Sequence, residues 1–113
     1  MPEGNESKKS EVVERSTFLY MHLCALAATM KIHIKYKEHF DIRDTFKDFR
    51  YGMYELFFLN ENTLEFDQKV KNVFETWDDT SVPNGVDTAY YLKSINVFKC
   101  LKAELEKRKL IVR

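Results

Sequence analysis

The sequence predicts an all-α fold, a single-domain helical bundle of four helices. Two observations carry this. Ile42, Phe46, Phe49, Met53 and Leu56 recur every three or four residues, as do Phe66, Val70, Val73 and Trp77, then Tyr91, Ile95, Phe98, Leu101 and Leu105. At 3.6 residues per turn such spacing puts each set on one helix face. The chain of 113 residues is 44% hydrophobic and 32% charged, the balance of a folded globular domain. Three apolar stripes in one short chain must bury against one another, and 14% aromatic residues give them bulk. At about 25 cal/mol per Å2 of apolar surface buried, such a core can offset the chain's conformational entropy.

Residues 1–10 (MPEGNESKKS) are polar and contain Pro2 and Gly4, so they read as a disordered tail. The bundle domain would then cover 11–113, with Ser10 as first cap.

The first helix is expected over about 11–39. Leu19, Leu23, Leu26, Met30 and Ile34 form one stripe; Ala25, Ala28, Ile32 and Tyr36 form a second. Two apolar faces suggest a central helix with neighbours on both sides. Residues 30–37 also alternate apolar and polar, a strand signal. Helix is preferred, because the chain has no second convincing strand to pair with.

The second helix is expected over about 42–59, with Asp41 as N-cap. Gly52 in its middle costs roughly 1 kcal/mol relative to Ala, which close packing of a crossing helix or a kink would explain. The third is expected over about 63–77, where Asn62 and Glu65 resemble a capping box. Residues 78–86 (DDTSVPNGV) form the clear loop, with a turn at Pro83-Asn84-Gly85. Asp87 or Thr88 would cap the last helix, expected over about 88–109.

Lysines and arginines number 18, as do the acids, so the formal net charge is zero. A dedicated nucleic-acid binder usually carries a basic excess. Cys24 and Cys100 form neither a disulfide framework nor a zinc motif, and a reducing, cytoplasmic setting fits them. Phe18–Met30 is too short to span a bilayer, and the mixed charge before it does not suit a secretory leader. No membrane role is expected. His22, His33 and His39 lack the spacing of two ligands on one helix face, although Glu38 or Glu55 could join a site in space. Only three glycines are present, so no phosphate loop forms. No cofactor, metal or catalytic constellation is expected.

Tyr51, Tyr54, Phe57 and Phe58, with Tyr20, Tyr90 and Tyr91, exceed what the core stripes require, and Tyr51, Tyr54 and Phe58 are the leading candidates among them. Aromatics left on a bundle surface anchor protein interfaces. Trp77 joins them as a partner-binding candidate. Asp78 and Asp79, placed at a helix C-terminus where negative charge is unfavourable, would supply rim charges. The expectation is a small non-catalytic interaction module, acting as a regulator, inhibitor or complex subunit. It would dock a protein partner or a second copy of itself.

An alternative uses Arg15 and His22, with six residues between them. This pair resembles the Arg-x(4-6)-His motif of the HEPN ribonuclease family, which is also a helical bundle of similar size. The resemblance implies that Arg15 would hold a phosphate and His22 would transfer a proton. Ser16 stands where that family usually places Asn, Asp or His. Two basic clusters, Lys31/Lys35/Lys37 and Lys102/Lys107/Arg108/Lys109/Arg113, could add phosphate contacts.

Overall fold

The computed structural model describes residues 2–61 and 67–112, with side chains from Ser10 onward except at 61. Four helices follow in order: α1 (Pro2–Tyr36), α2 (His39–Glu61), α3 (Gln68–Asp78) and α4 (Thr88–Lys107). The all-α, four-helix fold is as the periodicity predicts.

Helix α1 starts at Pro2, so residues 2–10 are helix and not the expected tail. Proline suits the first helical position, where its missing N–H is not needed, and Ser10 caps nothing. At 1.5 Å per residue, 35 residues give about 52 Å, and α1 sets the 53 Å long axis of the molecule. Residues 30–36 are helical, so the alternating pattern there reflects two helix faces and not a strand.

α1 ends on a left-handed residue. Lys37 has φ 55°, Lys37 N–H donates to Ile34 O at 3.3 Å and Glu38 N–H donates to His33 O at 2.9 Å. This paired closure satisfies the helix's last carbonyls and usually employs glycine. Lys109, φ 57°, repeats it after α4, with Leu110 N–H donating to Leu105 O at 2.8 Å. The early turn moves the start of α2 to His39, so Asp41 lies within its first turn and is not the N-cap. Asp67 caps α3 by accepting from Lys69 N–H. The expected capping box at Asn62 lies outside the described residues. Asp87 caps α4 as expected, accepting from Tyr90 N–H at 2.9 Å.

The core joins Leu19, Leu23 and Met30 of α1 to Ile42, Phe46, Phe49, Met53 and Leu56 of α2. Val97, Phe98, Leu101 and Leu105 of α4 close it. Each such side chain contributes about 1.5–3 kcal/mol on burial. Gly52 lets α1 and α2 approach closely. A Cβ there would sit 2.7 Å from Leu23 Cδ2, so close packing explains the glycine. The rest of the core is spaced by rings: Phe46 meets Tyr90 edge-on at 4.9 Å, Phe49 meets Phe98 at 5.7 Å, and Phe57 stacks on Phe74 at 4.2 Å. Leu110 and Ile111 are buried beyond α4, and Val112 N–H donates to Thr17 Oγ1 at 3.0 Å, tying the chain's end to α1.

α1 is not the central helix its two stripes suggest. α2 and α4 pack on the same side of it, and the second stripe stays in solvent. The radius of gyration, 15.0 Å, exceeds the roughly 13 Å expected of a compact chain this long. The molecule is elongated, 53 Å long and 24 by 18 Å across.

Candidate functional site

Arg50 is the organising residue of the region singled out in the sequence. It sits in mid-α2, its side chain 11% exposed. Its Nε donates to Tyr54 Oη at 3.1 Å, one Nη donates to Tyr90 Oη at 3.2 Å, and the other donates to Asp78 Oδ1 at 3.2 Å and to the Asp78 carbonyl. Tyr54 Oη donates to Asp78 Oδ1. The guanidinium also lies 5.0 Å from the Trp77 ring centre and 5.8 Å from that of Tyr54, within cation–π range. One cation thus ties α2 to the end of α3 and the first turn of α4.

Burial works to lower the Arg50 pKa, but its hydrogen bonds to Tyr54 and Tyr90 outweigh this and the net direction is up. Burial, then the bond to Asp78, raises the Tyr54 phenol above its ordinary 10.0, with Arg50 pulling the other way.

Two of the six candidates change role. Trp77 is 2% exposed, and its Nε1 donates to Ser94 Oγ at 3.0 Å. It is a core residue and not an exposed anchor, because the stripe that ends at position 77 points inward. Asp78 is not an unfavourable charge awaiting a partner. Arg50 neutralises it and also covers its carbonyl, the last one in α3. Asp79 is exposed and closes α3, its N–H donating to Glu75 O at 3.0 Å while Thr80 N–H donates to Trp77 O at 3.0 Å.

Tyr51 and Phe58 are 68% and 52% exposed. They lie two turns apart on one face of α2. Tyr54, half-buried, stacks against Phe58 at 6.0 Å. Beside them opens a groove of about 350 Å3 lined by Lys47, Arg50, Tyr51, Tyr54 and Val82. A second groove, about 330 Å3, lies between α3 and α4 and is lined in part by Val73, Trp77, Lys93 and Asn96.

Of the spare aromatics, Phe57 and Tyr90 are buried in the core and are not free for a partner. The sequence missed Arg50, which has no motif around it and, apart from Tyr54, finds its hydrogen-bond partners 28 and 40 residues away.

The alternative site is less assembled. Arg15 is exposed and paired with Glu55 at 3.1 Å. His22 is exposed two turns further along the same face, about 10 Å away by helix rise. α4 runs antiparallel to α1, with Lys102 over Tyr20 and Val112 on Thr17, so Lys107, Arg108 and Lys109 lie toward the middle of α1, away from Lys31, Lys35 and Lys37 at its C-terminal end.

His33, Glu38 and Asp41 gather at the α1–α2 elbow with ligand atoms within 4.8 Å of one another, so they could hold a cation. His33 Nδ1 already bonds Glu38 Oε2 at 3.0 Å. Lys35 and Lys37 flank the cluster in sequence, which opposes a further positive charge.

Comparison of the chain with known protein families, curated proteins and solved structures finds no match.

Proposed function

We propose that this chain is a small, non-catalytic interaction module that docks a protein partner on the outer edge of α2. The observation that carries this reading is the exposure of Tyr51 and Phe58. Tyr51 leaves most of its ring in solvent, and Phe58, although it touches Tyr54, Phe57 and Phe74, still exposes 52% of its surface. Contiguous exposed aromatics beside a groove are the usual anchors of an interface. The groove suits an apolar side chain entering between Tyr51 and Val82, with Lys47 and Asp79 as rim charges. Two of the polar groups that line the groove, Arg50 and Tyr54, are engaged with each other and with Asp78, which favours a docking surface over a reactive one. Two free thiols, Cys24 and Cys100, fit a reducing, cytoplasmic setting.

The test compares affinity capture by the wild type and by Tyr51→Ser with Phe58→Ser. Both side chains are exposed, so the variant keeps its helical circular-dichroism signal. A specific partner is expected to be lost from the variant alone. An identical set of captured proteins would remove the assignment. Retention of an RNA oligonucleotide at low salt, falling steeply as salt rises, would support the ribonuclease-like or nucleic-acid-binding reading instead.

A further inference from the structure

The outer face of α1 is apolar and uncovered. Phe18, Met21, Ile32 and Tyr36 are between 53% and 67% exposed, and Ala25 and Ala28 between them are exposed as well. Spacings of three, four, three, four and four keep all six on one side of the helix. Leu19, Leu23 and Met30 occupy the opposite side, against α2. The stretch Ser10–Tyr36 contains a window apolar enough to cross a membrane, yet only 17% of that window is buried. An apolar stripe of this length is not left in water without a partner.

We propose that the partner is a second copy of this chain, its α1 packed antiparallel on the same face, with the two-fold axis near Ala25. This surface is separate from the α2 edge and does not rest on the reading given to it. Charge decides the orientation. Glu11 and Glu14 stand at the N-terminal end of the stripe. Lys35 stands at its C-terminal end, with Lys31 on the flank. In an antiparallel pair Glu14 of each copy lies beside Lys35 of the other. A parallel pair would set Glu14 on Glu14 and Lys35 on Lys35. Shape agrees with charge. About an axis near Ala25, Ala25 meets its own copy and Met21 of one copy meets Ala28 of the other, so small residues line the centre, while Phe18 meets Ile32 on either side. Small residues there let two helices approach toward the close end of the 8–10 Å range. The contact is self-complementary, as a two-fold dimer requires. From Glu14 to Lys35 it runs about 32 Å, nearly six turns. A bilayer offers no counter-charge to the acidic end, whereas a second copy does.

Light scattering of the wild type across micromolar concentrations is expected to give twice the chain mass of 13.5 kDa. Ala28→Glu is expected to give a monomer with unchanged helical signal, because position 28 touches solvent and not the core. Glu14→Lys is expected to weaken the dimer roughly tenfold, by replacing two attractions with two repulsions. Adding Lys35→Glu restores it in an antiparallel pair only. In a Cys100→Ser background, a short bis-maleimide is expected to join the two Cys24 side chains. Antiparallel symmetry places them near the axis on one side; parallel symmetry would place them on opposite sides.

A monomer mass throughout, or a dimer indifferent to Ala28→Glu, overturns the proposal. So does failure of the charge swap to restore association. Co-sedimentation of monomer with neutral phosphatidylcholine vesicles would assign the face to lipid and overturn it as well. Tyr51→Ser with Phe58→Ser is expected to leave the mass at twice that of the chain. If that variant is the one that becomes monomeric, the α2 edge is the self-association surface and the α1 assignment fails.

Discussion

Removing the Arg50 guanidinium leaves the Asp78 carboxylate and the last carbonyl of α3 short of their cation. Arg50→Ala is therefore expected to cost about 2–3 kcal/mol, the range for breaking a half-buried, hydrogen-bonded charge pair. A fall in the urea midpoint at unchanged slope would check it. Arg50→Lys should recover only part of the loss, because an ammonium cannot reach Tyr54, Tyr90 and Asp78 at once. Tyr54 adds a dependence on pH. Its folded pKa is raised above 10.0, so the folded chain holds that proton more tightly than the unfolded chain does. The resulting stability is complete below pH 10.0 and is lost as pH rises through the folded value. Urea melts at rising alkaline pH should show the wild type losing stability faster than Tyr54→Phe. At this scale the sequence was half legible. Tyr51 and Phe58 stood out because they fall off the core stripe of α2. Trp77 misled, because an aromatic at the end of a stripe reads equally as core or as anchor. Arg50 was invisible, since tertiary contact and not local pattern gives a lone arginine its role.

Each helix announces itself by period, but its ends depend on single residues. Asp87 was legible as a cap because a Pro-Asn-Gly turn precedes it. The end of α1 was not, because a lysine takes the left-handed position where glycine would have marked it. That choice carries a penalty of about 1–2 kcal/mol for a residue with a Cβ. Glycine removes it while giving back about 0.4–1 kcal/mol in unfolded-chain entropy. Lys37→Gly and Lys109→Gly should each stabilise the protein modestly, by up to about 1 kcal/mol, read as a raised thermal midpoint. Gly52 behaves in the opposite sense. Alanine would gain roughly 1 kcal/mol in helix propensity. Its Cβ would meet Leu23 Cδ2 at 2.7 Å, and Leu23 is fully buried, so its methyl would have to shift within the packed core. Overpacking of this kind costs about 1–3 kcal/mol, so Gly52→Ala should come out destabilising. Pairing it with Leu23→Ala should recover part of the loss, a coupling that a double-mutant cycle would measure.

For the molecule as a whole, the number and type of helices were legible, and their arrangement was not. Two apolar stripes on α1 implied neighbours on both sides, yet one chain supplies helices for only one side. Periodicity reports that a face is apolar and says nothing of which chain covers it. The arrangement also leaves two unlike seams. Gly52 lets the Leu23 side chain of α1 pack directly on the α2 backbone, whereas pairs of large rings fill the seams of α2 with α3 and α4. Helix α3 buries Phe74 and Trp77 and is fastened to α2 through the Phe57–Phe74 stack and the Arg50 cluster. A molecule built this way should not open as a single unit. Amide hydrogen exchange would register the difference as a lower free energy of opening in α3 than in the α1–α2 pair. Uniform protection across all four helices would show that the two seams open together. The single glycine of the α2 interior thus sets a hierarchy in time: the hairpin it permits persists while the shortest helix comes and goes.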